Sequence, residues 1–159
     1  MNKLLKASAL ALSLMVTTIS VGTAMPSRTE AAISSTTGSR IVSTAKSYIG
    51  DVDYKYGTRD ASRLIFDCSS FTQFIFKKYG ISIPWSSRDQ AKEGKWVSKS
   101  NLRAGDLVFF SVGTPGRIDH VGIYVGNGKF ISNTKSEGVV VSPLNSGYWK
   151  NRYITGRRL

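Results

Sequence analysis

Cys68 and His120 are the only cysteine and the only histidine in the 159-residue chain, so any thiol–imidazole chemistry has a single possible pair. Cys68 stands in Phe66-Asp67-Cys68-Ser69-Ser70, where a loop enters a helix. His120 opens His120-Val121-Gly122-Ile123-Tyr124-Val125-Gly126, which reads as a strand. A thiol in the first turn of a helix meets unpaired backbone N–H groups and the positive end of the helix dipole, both of which favour its thiolate. An imidazole on a facing strand can take a proton near neutral pH. The pair is a candidate nucleophile and base.

Other chemistries have less support. A closed zinc site takes four Cys/His ligands and a catalytic one three protein ligands, more than one cysteine and one histidine provide. No Gly-x-Ser-x-Gly elbow is present, and the ten carboxylates are scattered, which argues against a glycosidase pair. Neither a metal nor a cofactor is expected.

The elements that must position the pair follow from periodicity. Ile41, Val42, Ala45, Tyr48 and Ile49 recur at helical spacing from Arg40 to Ile49, and Gly50 ends that helix. Asp51 to Ile65 reads as a loop. Phe71, Phe74, Ile75 and Tyr79 form one stripe of a second helix from Asp67 to Tyr79, with Asp67 as N-cap and Gly80 as stop. A short third helix runs from Ser86 or Ser87 to Glu93. Beyond Gly105-Asp106 the pattern changes to strands at 107–110, 120–125, 129–134 and 139–142, with Asn127-Gly128 as a hairpin turn. Tyr148 to Tyr153 reads as a helical turn before a closing strand from Ile154. Helices first and antiparallel strands later indicate an α+β domain. Val121, Ile123 and Val125 share the apolar face of their strand, so His120, Gly122 and Tyr124 are expected on the face that meets the Cys68 helix.

Lys3 and Lys6 precede an uncharged apolar run from Ala7 to about Ala24, the layout of a secretory signal peptide. Serines and threonines dilute the run below what a membrane anchor needs. Gly22 with Ala24, and Thr29 with Ala31, fit a small-x-small rule, so residues 1–32 are expected to be removed by cleavage between about 24 and 32. No cysteine lies there to carry a lipid. Residues 33–39 read as a Ser/Thr/Gly linker, and residues 40–159 as one catalytic domain. The protein is then secreted, with no stable membrane anchor after cleavage, and a lone thiol in such a chain cannot form an internal disulfide. The formal charge of +12 falls to +10 without Lys3, Lys6, Arg28 and Glu30, and suits anionic wall polymers. No basic stripe or recognition motif points to nucleic acid.

Three motifs in order carry a family resemblance. Phe66-Asp67-Cys68-Ser69-Ser70-Phe71, then Leu102-Arg103-Ala104-Gly105-Asp106-Leu107-Val108-Phe109-Phe110, then Asp119-His120-Val121-Gly122-Ile123-Tyr124-Val125-Gly126-Asn127-Gly128 resemble the successive signatures of the NlpC family. These are bacterial cell-wall cysteine peptidases with a papain-like core. The resemblance implies that Cys68 attacks a peptide carbonyl while His120 moves the proton. It also implies a substrate, the stem peptide of peptidoglycan, cut between D-glutamate and a diamino acid such as diaminopimelate. Tyr54 matches the family tyrosine beside the nucleophile, with Tyr56 as its fallback, and Asp67 and Ser69 occupy positions that line the substrate cleft. A wall-binding protein on the same scaffold, or an acyl or amide transferase using the same thiol, is the alternative.

Three positions depart from the family pattern. Ser70 replaces a common glycine, and Trp85 stands where arginine usually follows the proline of Ile83-Pro84-Trp85-Ser86-Ser87. The third catalytic residue, usually histidine, falls on Ser132, whose hydroxyl could accept the imidazole N–H. Asn133 acting through a bulge, or a backbone carbonyl, is the other possibility.

Overall fold

The computed structural model describes residues 32–159, and the expected signal segment lies, up to residue 31, outside them. The first helix, α1, spans Ser35–Lys46 and begins five residues before the apolar periodicity predicts. Residues 35–39 are therefore helical, although their composition suggests a linker. Ser34 caps the helix by accepting the Thr37 N–H, and Gly38 lies where the Ala104 carbonyl and Gly105 occupy the space a side chain would need. A residue that looks linker-like by composition is a contact point.

The stretch read as a loop folds into three two-residue strands, β1 Asp53–Tyr54, β2 Arg59–Asp60 and β3 Ile65–Phe66, in the order β1-β3-β2. The central helix α2, Cys68–Lys77, follows directly, so β3 delivers the chain into the helix that carries Cys68. Asp67 and Ser70 form a reciprocal capping box at its start. Short α3, Ser87–Gln90, is capped by Ser86.

The remaining strands are β4 Lys95–Val97, β5 Leu107–Phe110, β6 His120–Gly126, β7 Lys129–Thr134, β8 Gly138–Pro143 and β9 Tyr153–Arg158. They form one antiparallel sheet in the order β4-β9-β5-β6-β7-β8. Asn127 and Gly128 join β6 to β7, both with positive φ, as a tight hairpin turn requires. The fold is α+β, with the N-terminal helices packed on an antiparallel sheet.

Both faces of the sheet are covered. On one, Leu107, Phe109, Val121, Ile123 and Ile131 pack against Ile41, Phe71 and Ile75 of α1 and α2. On the other, Val108, Phe110, Phe130 and Leu144 form a second cluster with Tyr124, Trp149 and Tyr153. This corrects the expected placement of His120. The Val121/Ile123 face meets α2, and His120, Gly122 and Tyr124 lie on the opposite face, because the sheet has two apolar sides rather than one. Phe130 packs so close over Gly122 that a Cβ there would stand 2.6 Å from its ring.

One irregularity shapes the site. β6 pairs with β7 from Gly126↔Lys129 to Ile123↔Ile131, with a register shift on the way, and the pairing then stops. β7 stays paired with β8 as far as Thr134↔Gly138. The two central strands thus fork at the end where β6 begins. Asn133, fully buried in β7 beyond the last β6 pair, donates from Nδ2 to the Phe66 carbonyl at 2.9 Å. That bond ties the fork to the segment entering α2.

Candidate active site

Cys68 is the first residue of α2, directly after the Phe66-Asp67 segment that Asn133 holds. The residue is 6 % exposed. Helix α2, which carries Cys68, packs against β6, which His120 opens. Burial is the larger influence and pushes the thiol up to about 11 from its ordinary 9.0, with Asp67 adding to the rise and backbone N–H groups opposing it. The resting residue is therefore a neutral thiol. The helix terminus does not prevail over desolvation here, contrary to the sequence expectation of a stabilised thiolate.

His120 lies across the strand from that helix. Its Nε2 is 3.0 Å from Ser132 Oγ, a fully buried serine twelve residues on. Ser132 and His120 share one face, and Asn133 takes the other, where it bonds Phe66. Of the two candidate partners, Ser132 is the one placed on the imidazole. The half-buried Trp149 indole, in a helical turn at Gly147–Trp149, stacks on the ring with centroids 4.7 Å apart. Burial pulls His120 down to about 4 from 6.5, with Asp119 opposing. Among the described residues no hydrogen bond joins Cys68 directly to His120.

Two grooves adjoin the pair. One, of about 450 Å³, contains Cys68 with Tyr54, Asp67, Ser69, Arg88 and Arg117 on its walls. The other, of about 650 Å³, contains His120 with Val112, Lys135, Glu137, Tyr148 and Trp149. Tyr54 and Asp119 line both, so the grooves meet between the thiol and the imidazole. Burial, then the nearby Cys68, Asp67 and Tyr56, raises the Tyr54 phenol to about 12, which keeps it a protonated donor. Tyr56 is 86 % exposed on the rim. Tyr54 is the tyrosine whose phenol senses the thiol.

The residues around Cys68 hold one another. Asp67 Oδ1 accepts from the Ser70 N–H at 2.7 Å and from the Ser69 hydroxyl at 3.1 Å. Its Oδ2 accepts from the Trp85 indole at 3.2 Å, and the Arg59 guanidinium lies over that indole. Ser70 adds a bond from its hydroxyl to the Thr58 carbonyl at 2.6 Å. Both departures from the family pattern thus brace Asp67 and the helix start. Asp119 accepts the N–H groups of Val112 and Gly113, which pins the loop before β6.

The sequence did not single out Trp149, Arg88 or Arg117. An aromatic in a short turn after the last hairpin gives no periodic signal, and exposed arginines in loops read as ordinary solvated charge. Among the described residues no three carboxylate, cysteine or histidine side chains are grouped to hold a metal ion, and no helix is long and apolar enough to cross a membrane.

Comparison with known proteins agrees with this geometry. The chain is 44 % identical over 106 residues to the Escherichia coli K12 protein named murein DD-endopeptidase MepS/murein LD-carboxypeptidase, covering 66 % of this chain and 55 % of that protein. It is 39 % identical over 138 residues to a gamma-DL-glutamyl hydrolase of Bacillus subtilis 168, covering 86 % of this chain and 33 % of that one. The chain thus spans about half or less of these curated relatives. A crystal structure of an NlpC/P60 family protein from Bacillus cereus ATCC 10987 superimposes with a TM-score of 0.69 at 32 % identity, over 80 % of this chain and 41 % of that one. The NlpC/P60 family model matches residues 51–158, which span the capped cysteine, the fork and the Ser132-bonded histidine, and the chain belongs to that family.

Proposed function

We propose that the protein is a secreted cysteine endopeptidase that hydrolyses peptidoglycan stem peptides at the bond between γ-linked D-glutamate and the diamino acid. Support comes from one arrangement: the groove that contains Cys68 and the groove that contains His120 share Tyr54 and Asp119 on their walls, and His120 Nε2 lies 3.0 Å from Ser132 Oγ. With Ser132 Oγ accepting the Nε2 proton, Nδ1 is left as the basic nitrogen. Because the thiol rests neutral, His120 acts as general base at the moment of attack. It takes the thiol proton as sulfur bonds to the carbonyl carbon, then gives that proton to the leaving amine as the C–N bond breaks. Water then attacks the thioester, His120 takes its proton, and the thiol returns as the acid product leaves. The Tyr54 hydroxyl and the N–H of Cys68 donate to the developing oxyanion. Asp67 and Ser69 shape the groove that receives the acyl part of the substrate.

Residues 1–32 act as the export signal and are absent from the working enzyme, which acts at the bacterial cell wall, where the net positive charge favours anionic wall polymers. The B. subtilis relative is named for a γ-glutamyl bond and the E. coli relative for a DD bond. Mass analysis of purified muropeptides after digestion decides between them. Fragments that gain one water at the D-glutamyl amide are expected, and products cut only at D-alanyl cross-links would overturn the choice of bond. Intact masses, or masses that show a transferred group, would overturn hydrolysis itself.

A further inference from the structure

On the side away from β7 and β8 the sheet ends in the three-residue strand β4, which pairs with β9 alone. This edge lies three strand spacings, about 14 Å, from β6 and outside both grooves. Trp96 stands at its centre, 65 % exposed. The other two tryptophans are engaged, Trp85 by Asp67 and Arg59, and Trp149 by His120. Among the described residues the Trp96 ring stacks on no other ring or cation, and its N–H donates to no acceptor. Directly opposite it in the register is Arg157, whose Nε is buried without a hydrogen-bond partner. Lys95 precedes Trp96 on the same edge, exposed and in no ion pair among the described residues, and the Lys99 ammonium lies 5.0 Å over the Tyr153 ring of β9. Asp106 nearby is taken by the Arg158 guanidinium at 2.8 and 2.7 Å, which leaves Glu93 as the acid set against these three cations.

We propose that the β4 edge is a docking surface for a phosphodiester polymer of the bacterial wall, with the Trp96 indole against its sugar or polyol carbons and Lys95, Lys99 and Arg157 on its phosphates. Alternation along β4 puts Trp96 and Arg157 on one face and Lys95 on the other, so the cations flank the indole across the edge. A phosphodiester carries one full charge per repeat, and its tetrahedral oxygens accept from point-like ammonium groups as well as from a guanidinium. The C–H surface of a sugar or polyol repeat is what the face of an indole takes. The unpaired backbone of an edge strand adds N–H donors to the same surface. A bilayer fits less well, because one aromatic between a lysine and a buried valine offers too little apolar area to enter it. A second copy of the chain would set lysine against lysine across the edge, in two molecules of the same positive sign. The surface stands apart from Cys68 and His120, and it governs where the protein is held rather than which bond is cut.

The test is cosedimentation of Cys68→Ala protein with purified walls that carry polyol-phosphate polymer, and with the same walls after hydrofluoric acid has removed it. Because this variant lacks the nucleophile, the result does not depend on the endopeptidase reading. Retention is expected to fall about ten-fold on the stripped walls and to weaken steeply with added salt. Adding Trp96→Ala should weaken binding to the unstripped walls about five-fold, and Lys95→Gln/Lys99→Gln by a similar factor. Trp96→Phe should recover most of the first loss. All four positions are exposed or on the rim, and an unchanged far-UV circular dichroism spectrum checks the fold; Arg157→Gln is the further variant. Isolated poly(glycerol phosphate) should compete with the walls and quench Trp96 fluorescence. In protein with Cys68 intact, Trp96→Ala should leave kcat/KM on soluble muropeptides within two-fold of the parent. Equal retention on both kinds of wall, or retention unmoved by Trp96→Ala and by Lys95→Gln/Lys99→Gln, would overturn the proposal. Trp96-dependent binding to vesicles of phosphatidylglycerol but not to the polymer, or a dimer that Trp96→Ala dissolves, would overturn it in favour of those occupants.

Discussion

The Trp149 indole lies over the His120 imidazole with ring planes 23° apart, on the side of β6 away from helix α2. It also meets Phe110 at 4.9 Å and Phe130 at 5.3 Å, so the second apolar cluster ends on the imidazole. Trp149 thus limits where the ring can turn and keeps water from one of its faces. In Trp149→Ala, solvent reaches the imidazole, and the acid limb of the kcat/KM profile should rise from near 4 toward 6.5, with kcat down about ten-fold. The lost packing should cost about 2 kcal/mol in denaturant titration. Trp149→Phe should recover the pH profile, and an unmoved acid limb in Trp149→Ala would show that the indole does not screen the ring.

Cys68→Ala and His120→Ala should each abolish release of soluble muropeptides while keeping the far-UV circular dichroism of the parent. Turnover needs a neutral imidazole and a thiol still carrying its proton, so activity should hold a broad plateau between limbs near 4 and near 11. Because Cys68 is the only thiol, alkylation by iodoacetamide reads its ionisation directly, and the rate should be slow at pH 7 and rise about ten-fold per pH unit until it levels off near 11. Fast alkylation at pH 7 would show a preformed thiolate.

Stability should respond to acid in a defined direction. The unfolded chain binds a proton on His120 near its ordinary 6.5, whereas the folded chain resists until about 4. The unfolded state therefore holds more protons in that window, and stability should fall as pH drops from 6.5 to 4. His120→Gln should flatten that part of the curve in urea titrations across the same range.

Ser132→Ala removes the acceptor of the imidazole N–H and leaves a buried donor unmet. A neutral hydrogen bond is worth roughly 1 kcal/mol, so kcat should fall about five-fold with KM nearly unchanged. Ser132→Thr keeps the hydroxyl and should retain most of the rate. An effect confined to KM would remove Ser132 from the catalytic set.

Ser70→Gly restores the residue common in the family but deletes the acceptor of the Asp67 N–H and the bond to Thr58. The variant should lose about 1 kcal/mol, or roughly 4 °C in Tm, with its pH profile intact. A chelator should leave the rate of the parent unchanged, and loss of activity restored by zinc would reverse the metal-independent mechanism.

The elements that place the pair were largely legible in the sequence. The stripe Phe71, Phe74, Ile75 identifies α2, and Asn127-Gly128 fixes the hairpin, because each obeys a local rule. Ser132 came from the family resemblance, twelve positions beyond His120, and alternation along the strand added only that Asn133 takes the opposite face. What local rules did not carry was long-range. The strands at 53–54, 59–60 and 65–66 are too short for periodicity, and β4 shows an outward Trp96. The second apolar cluster reverses the expected face of His120, since alternation tells which residues share a side but not what lies over each side. Asn133 reaches Phe66 across the fold beyond the last β6–β7 pair, a contact no window of sequence contains.

The buried, protonated sulfur has a consequence for the lifetime of the protein. Peroxides and disulfides attack thiolates far faster than thiols, and Cys68 shows them little surface and little anion. Cys68, the one thiol of the chain, should therefore oxidise slowly at rest, with no reductant needed to regenerate it. In an oxidising medium, the desolvation that slows the resting nucleophile is also what preserves it.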